Sequence, residues 1–320
     1  MKSFSNLFSR VLVAIVAIPL IVYVAYAGGI LFFIFVTGVA VLAVYEFYGL
    51  AERKGSSPQR AMGILGTILL CTAFFHEKIQ QVVVSYAVAQ GSGISILTKL
   101  QLFLTFLLLF LVVTLLLELF RDKGSIFANL GHTWLGVVYV GLFAATLIGI
   151  RELFGMEFPV WLYRLHPVGG LDIPDSNIRE ITYRWGGLTI ISIMATIWIC
   201  DTFAYFGGLS MGKHKLFLRV SPKKTWEGAV WGFAGAIAAM IAAQRLLLPY
   251  LEIHQALIIG VIIGVLGQIG DLVESLFKRD AGVKDSSALI PGHGGVFDRF
   301  DSLLFVAPIL YLYIDFVVLS

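Results

Sequence analysis

Charged side chains and glycines crowd into one stretch of an otherwise apolar chain, Ser275–Asp301, which reads SLFKRDAGVKDSSALIPGHGGVFDRFD. Within it and just before it lie six acids (Asp271, Glu274, Asp280, Asp285, Asp298, Asp301), four cations (Lys278, Arg279, Lys284, Arg299) and His293, set among Gly292, Gly294 and Gly295. That mixture is the chemistry of phosphate and metal. Glycine permits positive φ and a close approach of backbone N–H groups to an oxyanion, so the glycines around His293 suit a phosphate cradle. Magnesium takes one or two carboxylates together with phosphate oxygens, and Asp271 with Asp298 supplies such a pair. His293 has three readings: a phosphate ligand, a general acid or a brace for the loop. Asp298 and Asp301 share a side if a helix begins there, and helix capping suits Asp301 better than Asp298.

A second constellation lies upstream. Asp201 and Tyr205 are spaced i, i+4 within an apolar run, and the following segment Gly212–Gly228 carries Lys213, Lys215, Arg219, Lys223 and Lys224. Lys213, Lys215 and Arg219 are accounted for by the excess of cations in cytoplasmic loops. Ser221-Pro222-Lys223-Lys224-Thr225 is more particular, with two ammonium groups and two hydroxyls beside a span and Trp226 as an interfacial anchor. It suits anionic lipid headgroups or the phosphates of a nucleotide. Between the two constellations, Gly260, Gly264, Gly267 and Asp271 recur at helical spacing, which places them on one face, the glycines for close packing. Asp271 at the end of that span must face a polar cavity, a partner or a metal. Glu274 and Lys278 follow as an i, i+4 salt bridge.

These groups need a scaffold, and the composition says which. Of 320 residues 58% are hydrophobic and 13% charged, with a mean hydropathy of +0.90, against roughly 25% charged in an ordinary soluble domain. The chain belongs in a bilayer as one membrane domain over 1–320, an all-α polytopic protein of about nine transmembrane helices. The expected spans are 11–27, 30–51, 61–75, 100–117, 133–150, 188–206, 229–248, 256–272 and 303–319. With the N-terminus inside and the C-terminus outside, sixteen of the 23 lysines and arginines fall on the inner side, together with both motif-rich loops. Residues 1–187 then form N-terminal spans with an outer loop at 151–187, and 188–320 the catalytic helices and cytoplasmic loops. Lys2, Arg10 and the apolar run to Ala27 fit a signal peptide less well than a membrane hairpin, because Gly28 leads directly into a second apolar run. Cys71 and Cys200 fall within apolar runs as packing residues. A net charge of +3 calls for no polyanion, and nothing in the chain suggests nucleic-acid binding.

The Ser275–Asp301 stretch closely resembles the signature of the phosphatidate cytidylyltransferase (CDP-diacylglycerol synthase) family, matching its serine, its lysine–arginine pair, its lysine–aspartate pair, its HGG and its DRxD at every fixed position. Asp201-Thr-Phe-Ala-Tyr205, the box Ser221–Gly228 and Gly270-Asp271-Leu-Val-Glu-Ser275 are similar to further family elements, so the resemblance covers roughly 201–301. It implies a magnesium-dependent reaction of CTP with phosphatidate, drawn from the inner leaflet, giving CDP-diacylglycerol and pyrophosphate. Carried over residue by residue, Asp271, Ser275 and Asp298 coordinate metal, and a second cation is allowed. Lys223, Lys224, Lys278, Arg279, Lys284, His293 and Arg299 handle phosphates, while Ser221, Thr225, Gly294, Gly295 and Asp201 complete the substrate contacts. The family habit and the glycine-lined spans also suggest a homodimer, and the expected place is the cell's inner membrane with the site on the cytoplasmic side. Two other readings are a CTP-dependent lipid kinase and a non-catalytic lipid transporter or scaffold. The kinase would leave the α-phosphorus of CTP in CDP, and the scaffold would leave Asp271, Asp298 and His293 without a reason to converge.

Overall fold

In the computed structural model the described residues are 2–89, 98–155, 158–159, 175–290, 292 and 294–320. The helices are α1 (Lys2–Ala27), α2 (Gly29–Arg53), α3 (Arg60–Phe74), α4 (His76–Ala89), α5 (Lys99–Leu119), α6 (Ile126–Leu135) and α7 (Phe143–Glu152), the last two joined by a π-helical stretch, Gly136–Leu142. Then come α8 (Asp175–Met211), a hairpin of β1 (Lys215–Phe217) and β2 (Ser221–Thr225), and α9 (Trp226–Leu246). A second π-helical stretch, Ile263–Gly267, joins α10 (Ile253–Ile262) to α11 (Gln268–Asp280), and α12 (Phe297–Tyr313) closes the chain with a third, Ile314–Val318. Each of the nine expected spans falls on helix. Seven helices among the described residues are long and apolar enough to cross a membrane, or eight if the bent pair Arg60–Phe74 and Lys78–Val88 is counted as one span, against the nine expected. The protein is an integral membrane protein.

Two compact units make up the chain, one of residues 1–28 with 150–320 and one of residues 29–149. In the second, Tyr48 is fully buried and donates its hydroxyl to the Thr133 carbonyl at 2.8 Å, its ring lying where a Cβ on Gly63 or Gly136 would be. The buried Glu118 carboxylate is answered there by Gln59 and Asn129, both at 2.7 Å, and by Arg121 at 2.8 Å. A carboxylate at the end of a span is tolerable because each of its oxygens has a donor.

The first unit carries the motifs. Helix α9 lies against α8 because Gly228, Gly232 and Gly235 present no side chain. A Cβ on them would stand 2.7 Å from the Ala204 carbonyl oxygen, 2.9 Å from that of Cys200 and 2.8 Å from the Phe203 ring. Among apolar helices in lipid, this close packing is the main source of association. The glycine stripe expected to share a face with Asp271 is split instead. Gly260 and Gly264 face Ile237 and Phe233 of α9, whereas the closest approach to α12 comes at Gly270, against the Asp301 carbonyl and the Phe305 side chain. The π-helical turns between them hold more residues per turn and rotate α11 relative to α10. The stripe is therefore used within the chain.

Two boundaries also differ from expectation. Helix α8 begins at Asp175, well before 188, so the end of the expected 151–187 loop is helical; residues 156–157 and 160–174 of that loop lie outside the described ones. Ile178, Thr182, Trp185 and Thr189 are buried at helical spacing, and Glu180 pairs with Arg184 at 2.6 Å, so the polar prelude is an amphipathic extension of the span. Segment 212–228, read as a loop, contains the hairpin, with Lys215 opposite Thr225 and Phe217 opposite Ser221.

The C-terminal end of α1 is held by Arg151, which is fully buried. Its Nε and one terminal nitrogen donate to the carbonyls of Ala25 and Tyr26, both at 3.2 Å, and its guanidinium lies 3.8 Å from the Tyr183 ring centre. Gly28 and Gly186 leave room for it. Replacing Arg151 by Met removes the donors to two helix-end carbonyls, at about 1–3 kcal/mol. Thermal unfolding followed by a thiol-reactive dye, which reaches the buried Cys71 and Cys200 only on opening, should show a melting temperature lowered by several degrees.

Candidate active site

Three carboxylates converge where α11 meets α12. One oxygen each from Asp271, Glu274 and Asp301 lies within 4.8 Å of the others. Helix α11 brings Asp271 and Glu274 to its inner side, and Gly270 lets the Asp301 turn of α12 come close. Such crowding needs positive charge. Lys224, from the hairpin, reaches Asp271 at 2.6 Å, and Lys278 reaches Glu274 at 2.6 Å, the i, i+4 pair expected of this helix. Ser275 donates to the other Asp271 oxygen at 3.3 Å. Two ammonium groups against three carboxylates leave an excess of negative charge, and the donors are all hard oxygens, the set that suits a magnesium ion.

Asp298, paired with Asp271 as a candidate metal ligand in the sequence, has partners of its own in the fold. It is buried, and its Oδ1 accepts from the Lys278 ammonium at 2.9 Å. Its Oδ2 accepts from the backbone N–H groups of Gly295 at 2.7 Å and Ser286 at 3.0 Å. Asp298 therefore ties the loop at Ser286 and at Gly295 to Lys278, and through it to Glu274. Gly294 makes this possible. It has φ +82°, and a Cβ there would fall 2.5 Å from the Asp298 carboxylate; its carbonyl receives the Ile290 N–H at 2.9 Å, which closes the turn. Gly292 also has positive φ, at +75°. His293, within that turn, lies outside the described residues.

Arg279, expected among the phosphate-handling groups, donates to two backbone carbonyls, Val220 of the hairpin at 3.3 Å and Val283 of the loop at 2.9 Å. It joins the two motif-bearing segments. Thr225 caps α9, its hydroxyl accepting from the Gly228 N–H at 3.2 Å. Glu227 accepts from the backbone N–H groups of Lys213 at 3.1 Å and His214 at 3.2 Å, which orients the hairpin's entry. Ser221 is half-buried at the start of β2, and Lys284 stands exposed on the loop.

Two cavities meet at this centre. A polar one of about 530 Å³ is bounded by Asp201, Leu216, Lys223, Lys224, Thr225 and Asp271, between α8, the hairpin and α11. An apolar one of about 320 Å³ is walled by Val13, Ala17 and Ile21 of α1 and by Ile197 and Trp198 of α8, with Asp201, Arg299 and Asp301 at its polar end. Asp201 lines both. The structure thus brings Asp201, Lys223, Lys224, Asp271, Ser275 and Arg299 to the cavity walls or beside them, and puts Lys278, Arg279 and Asp298 into the framework behind. Sequence reasoning left Glu274 and Asp301 out of the site. Their signal was present in the four-residue spacing of Asp301 from Phe297, where α12 begins, and in Glu274 lying one turn from Asp271.

A helical integral membrane protein with a carboxylate centre, flanking lysines and adjoining polar and apolar cavities is a protein built for phosphorylated and lipid-like ligands together. Residues 8–317 match the cytidylyltransferase family, and the chain belongs to that family. It is 33% identical over 307 residues to the phosphatidate cytidylyltransferase of Synechocystis sp., an alignment covering 95% of each chain. The enzyme of the same name from Bacillus subtilis is 31% identical over 305 residues, 94% of this chain and 95% of that one. That of Brucella abortus biovar 1 is 28% identical over 310 residues, 97% and 93%.

Gly294→Ala should lose activity without loss of the helices, because the alanine both strains a positive φ and displaces the Asp298 carboxylate. A strain of about 1–3 kcal/mol corresponds to roughly a 10- to 100-fold fall in kcat/KM, while circular dichroism stays unchanged.

Proposed function

We propose that this protein transfers the cytidylyl group of CTP to phosphatidate, giving CDP-diacylglycerol and pyrophosphate. The observation that carries the reading is the pair of cavities sharing Asp201, one lined by lysines and an acid, the other by aliphatic side chains with Arg299 at its end. CTP occupies the polar cavity, with its phosphates toward Lys223 and Lys224. Phosphatidate enters the apolar cavity from the inner leaflet, with its phosphate toward Arg299. A volume of about 530 Å³ lies within the range of small-molecule sites.

A lipid phosphate oxygen attacks the α-phosphorus, forming the new P–O bond as the bond to the β-phosphate's bridging oxygen breaks. A phosphate monoester has its second pKa near 6, so the nucleophile arrives largely dianionic and needs little help from a general base. The obstacle is repulsion between two anions. Lys223, Lys224 and Arg299 oppose it from the cavity walls, placing fixed positive charge where negative charge develops. The Lys278–Asp298–Glu274 framework holds the loop so that these groups keep their positions, since in-line transfer is governed by alignment.

Asp271, Glu274 and Asp301, with Ser275 beside them, would hold a magnesium ion, and their negative excess leaves a place for a second cation. Bound there, magnesium supplies Lewis-acid neutralisation of phosphate charge. The cations of the hairpin and of the 281–299 loop support a site on the cytoplasmic side of the cell's inner membrane, where CTP is found.

Purified protein given magnesium, phosphatidate and CTP labelled at the α-phosphorus should place the label in lipid; label that remains in CDP would establish the kinase instead. Asp271→Asn and Asp301→Asn should each cut turnover by roughly 100-fold or more and raise the magnesium concentration required for half-maximal rate. Full activity of both variants after exhaustive chelation would sink the metal assignment.

A further inference from the structure

The hairpin β1–β2 has two faces, and the site accounts for only one. Successive residues of a strand point to opposite sides. Leu216 lines the polar cavity, whereas its neighbours Lys215 and Phe217 are exposed and do not line it. Beyond the strand, the tip continues with Leu218 and Arg219. Phe217 is 50% exposed and Leu218 68%, two large apolar side chains at the end of β1 and the start of the turn, in a small hairpin that has no core of its own to bury them. Around them Lys213, Lys215 and Arg219 are all exposed, and among the described residues none of the three side chains pairs with a carboxylate.

The hairpin also starts at a definite level. It leaves α8 at Met211 and enters α9 at Trp226, both exposed and continuous with the exposed apolar surface of those two spans at Leu209 and Val230. A tryptophan at the end of a span sits at the headgroup level. The tip thus extends from the boundary between hydrocarbon and water, with apolar side chains at its end and cations on its flanks, the pattern of an element that lies in the interface of an anionic membrane.

We propose that the outer face of this hairpin docks on the bilayer, Phe217 and Leu218 entering the headgroup–acyl boundary and Lys213, Lys215 and Arg219 engaging the phosphates of anionic phospholipids. These lipids need not be substrate. Lys215 and Arg219 contribute attraction through the negative surface potential, which salt screens. Because Leu216 and Lys224 on the other face border the polar cavity, docking fixes one wall of that cavity relative to the membrane. Arg279 continues the link, holding the turn of the hairpin at Val220 to the loop at Val283.

The test reads lipid contact and requires no turnover, so it stands apart from the reaction proposed above. Leu218→Cys, in a chain with Cys71 and Cys200 replaced by Ala, is labelled with an environment-sensitive fluorophore and placed in nanodiscs of phosphatidylcholine with or without phosphatidylglycerol. Lipids carrying a quencher near the headgroup should quench the label. Phosphatidylglycerol should increase the quenching, 1 M NaCl should remove the increase, and Lys215→Gln with Arg219→Gln should weaken the phosphatidylglycerol dependence by on the order of 10-fold. The same label at Phe217→Cys guards against a local disturbance at one position. A label at both positions that stays open to aqueous iodide and is untouched by lipid quenchers overturns the docking. Quenching that ignores headgroup charge and both substitutions overturns the assignment to anionic lipid.

Discussion

One ammonium group organises the charged centre. Lys278 lies between Glu274 at 2.6 Å and Asp298 at 2.9 Å, with little of it exposed. Breaking a buried pair leaves an uncompensated charge and costs several kcal/mol, far more than an exposed pair is worth. The loop from Ala281 to Val296 cannot leave α11 without exposing that imbalance. The Asp298 hydrogen bonds to Ser286 and Gly295 carry that link into the loop.

The surrounding helices solve a second problem with different means. In lipid there is little hydrophobic drive for one helix to meet another, so close backbone approach and satisfied polar groups must supply the association. Gly228, Gly232 and Gly235 bring α9 onto α8, and Gly260 and Gly264 bring α10 onto α9. The π-helical stretch Ile263–Gly267 then turns α11 so that Gly270 and Asp271 face the centre. π-Helical turns often occur at functional sites, and here the consequence is specific: without the rotation Asp271 would follow the glycines toward α9.

The two cavities express these arrangements as function. Charges from segments far apart in the chain, α8 with the hairpin and α11, line the polar space, and the start of α12 puts Arg299 and Asp301 at the end of the apolar one. The aliphatic face of α1 lines the adjoining apolar one. Arg151 fixes the far end of α1 by donating to its last carbonyls, so a residue remote from the chemistry sets the wall on the lipid side. Catalysis proposed for this site relies on position and charge, and each cationic group in it is held by an element whose own packing is determined elsewhere.

Composition and apolar run length were sufficient to read a helical membrane protein and to place each span, because the bilayer admits few backbone solutions and demands long apolar segments. The local i, i+4 geometry of Glu274 with Lys278 was equally legible, as were the segments that carry the site. The sequence could not say which charge meets which. Asp271 takes Lys224 and Ser275, Asp298 takes Lys278 and two backbone donors, and Arg279 takes two carbonyls, pairings set by the hairpin and by the rotation of α11. Carboxylates separated by as many as thirty residues look alike in a linear chain. Tertiary structure distinguishes them because a buried charge must be answered at once by whatever donor the fold brings within about 3 Å.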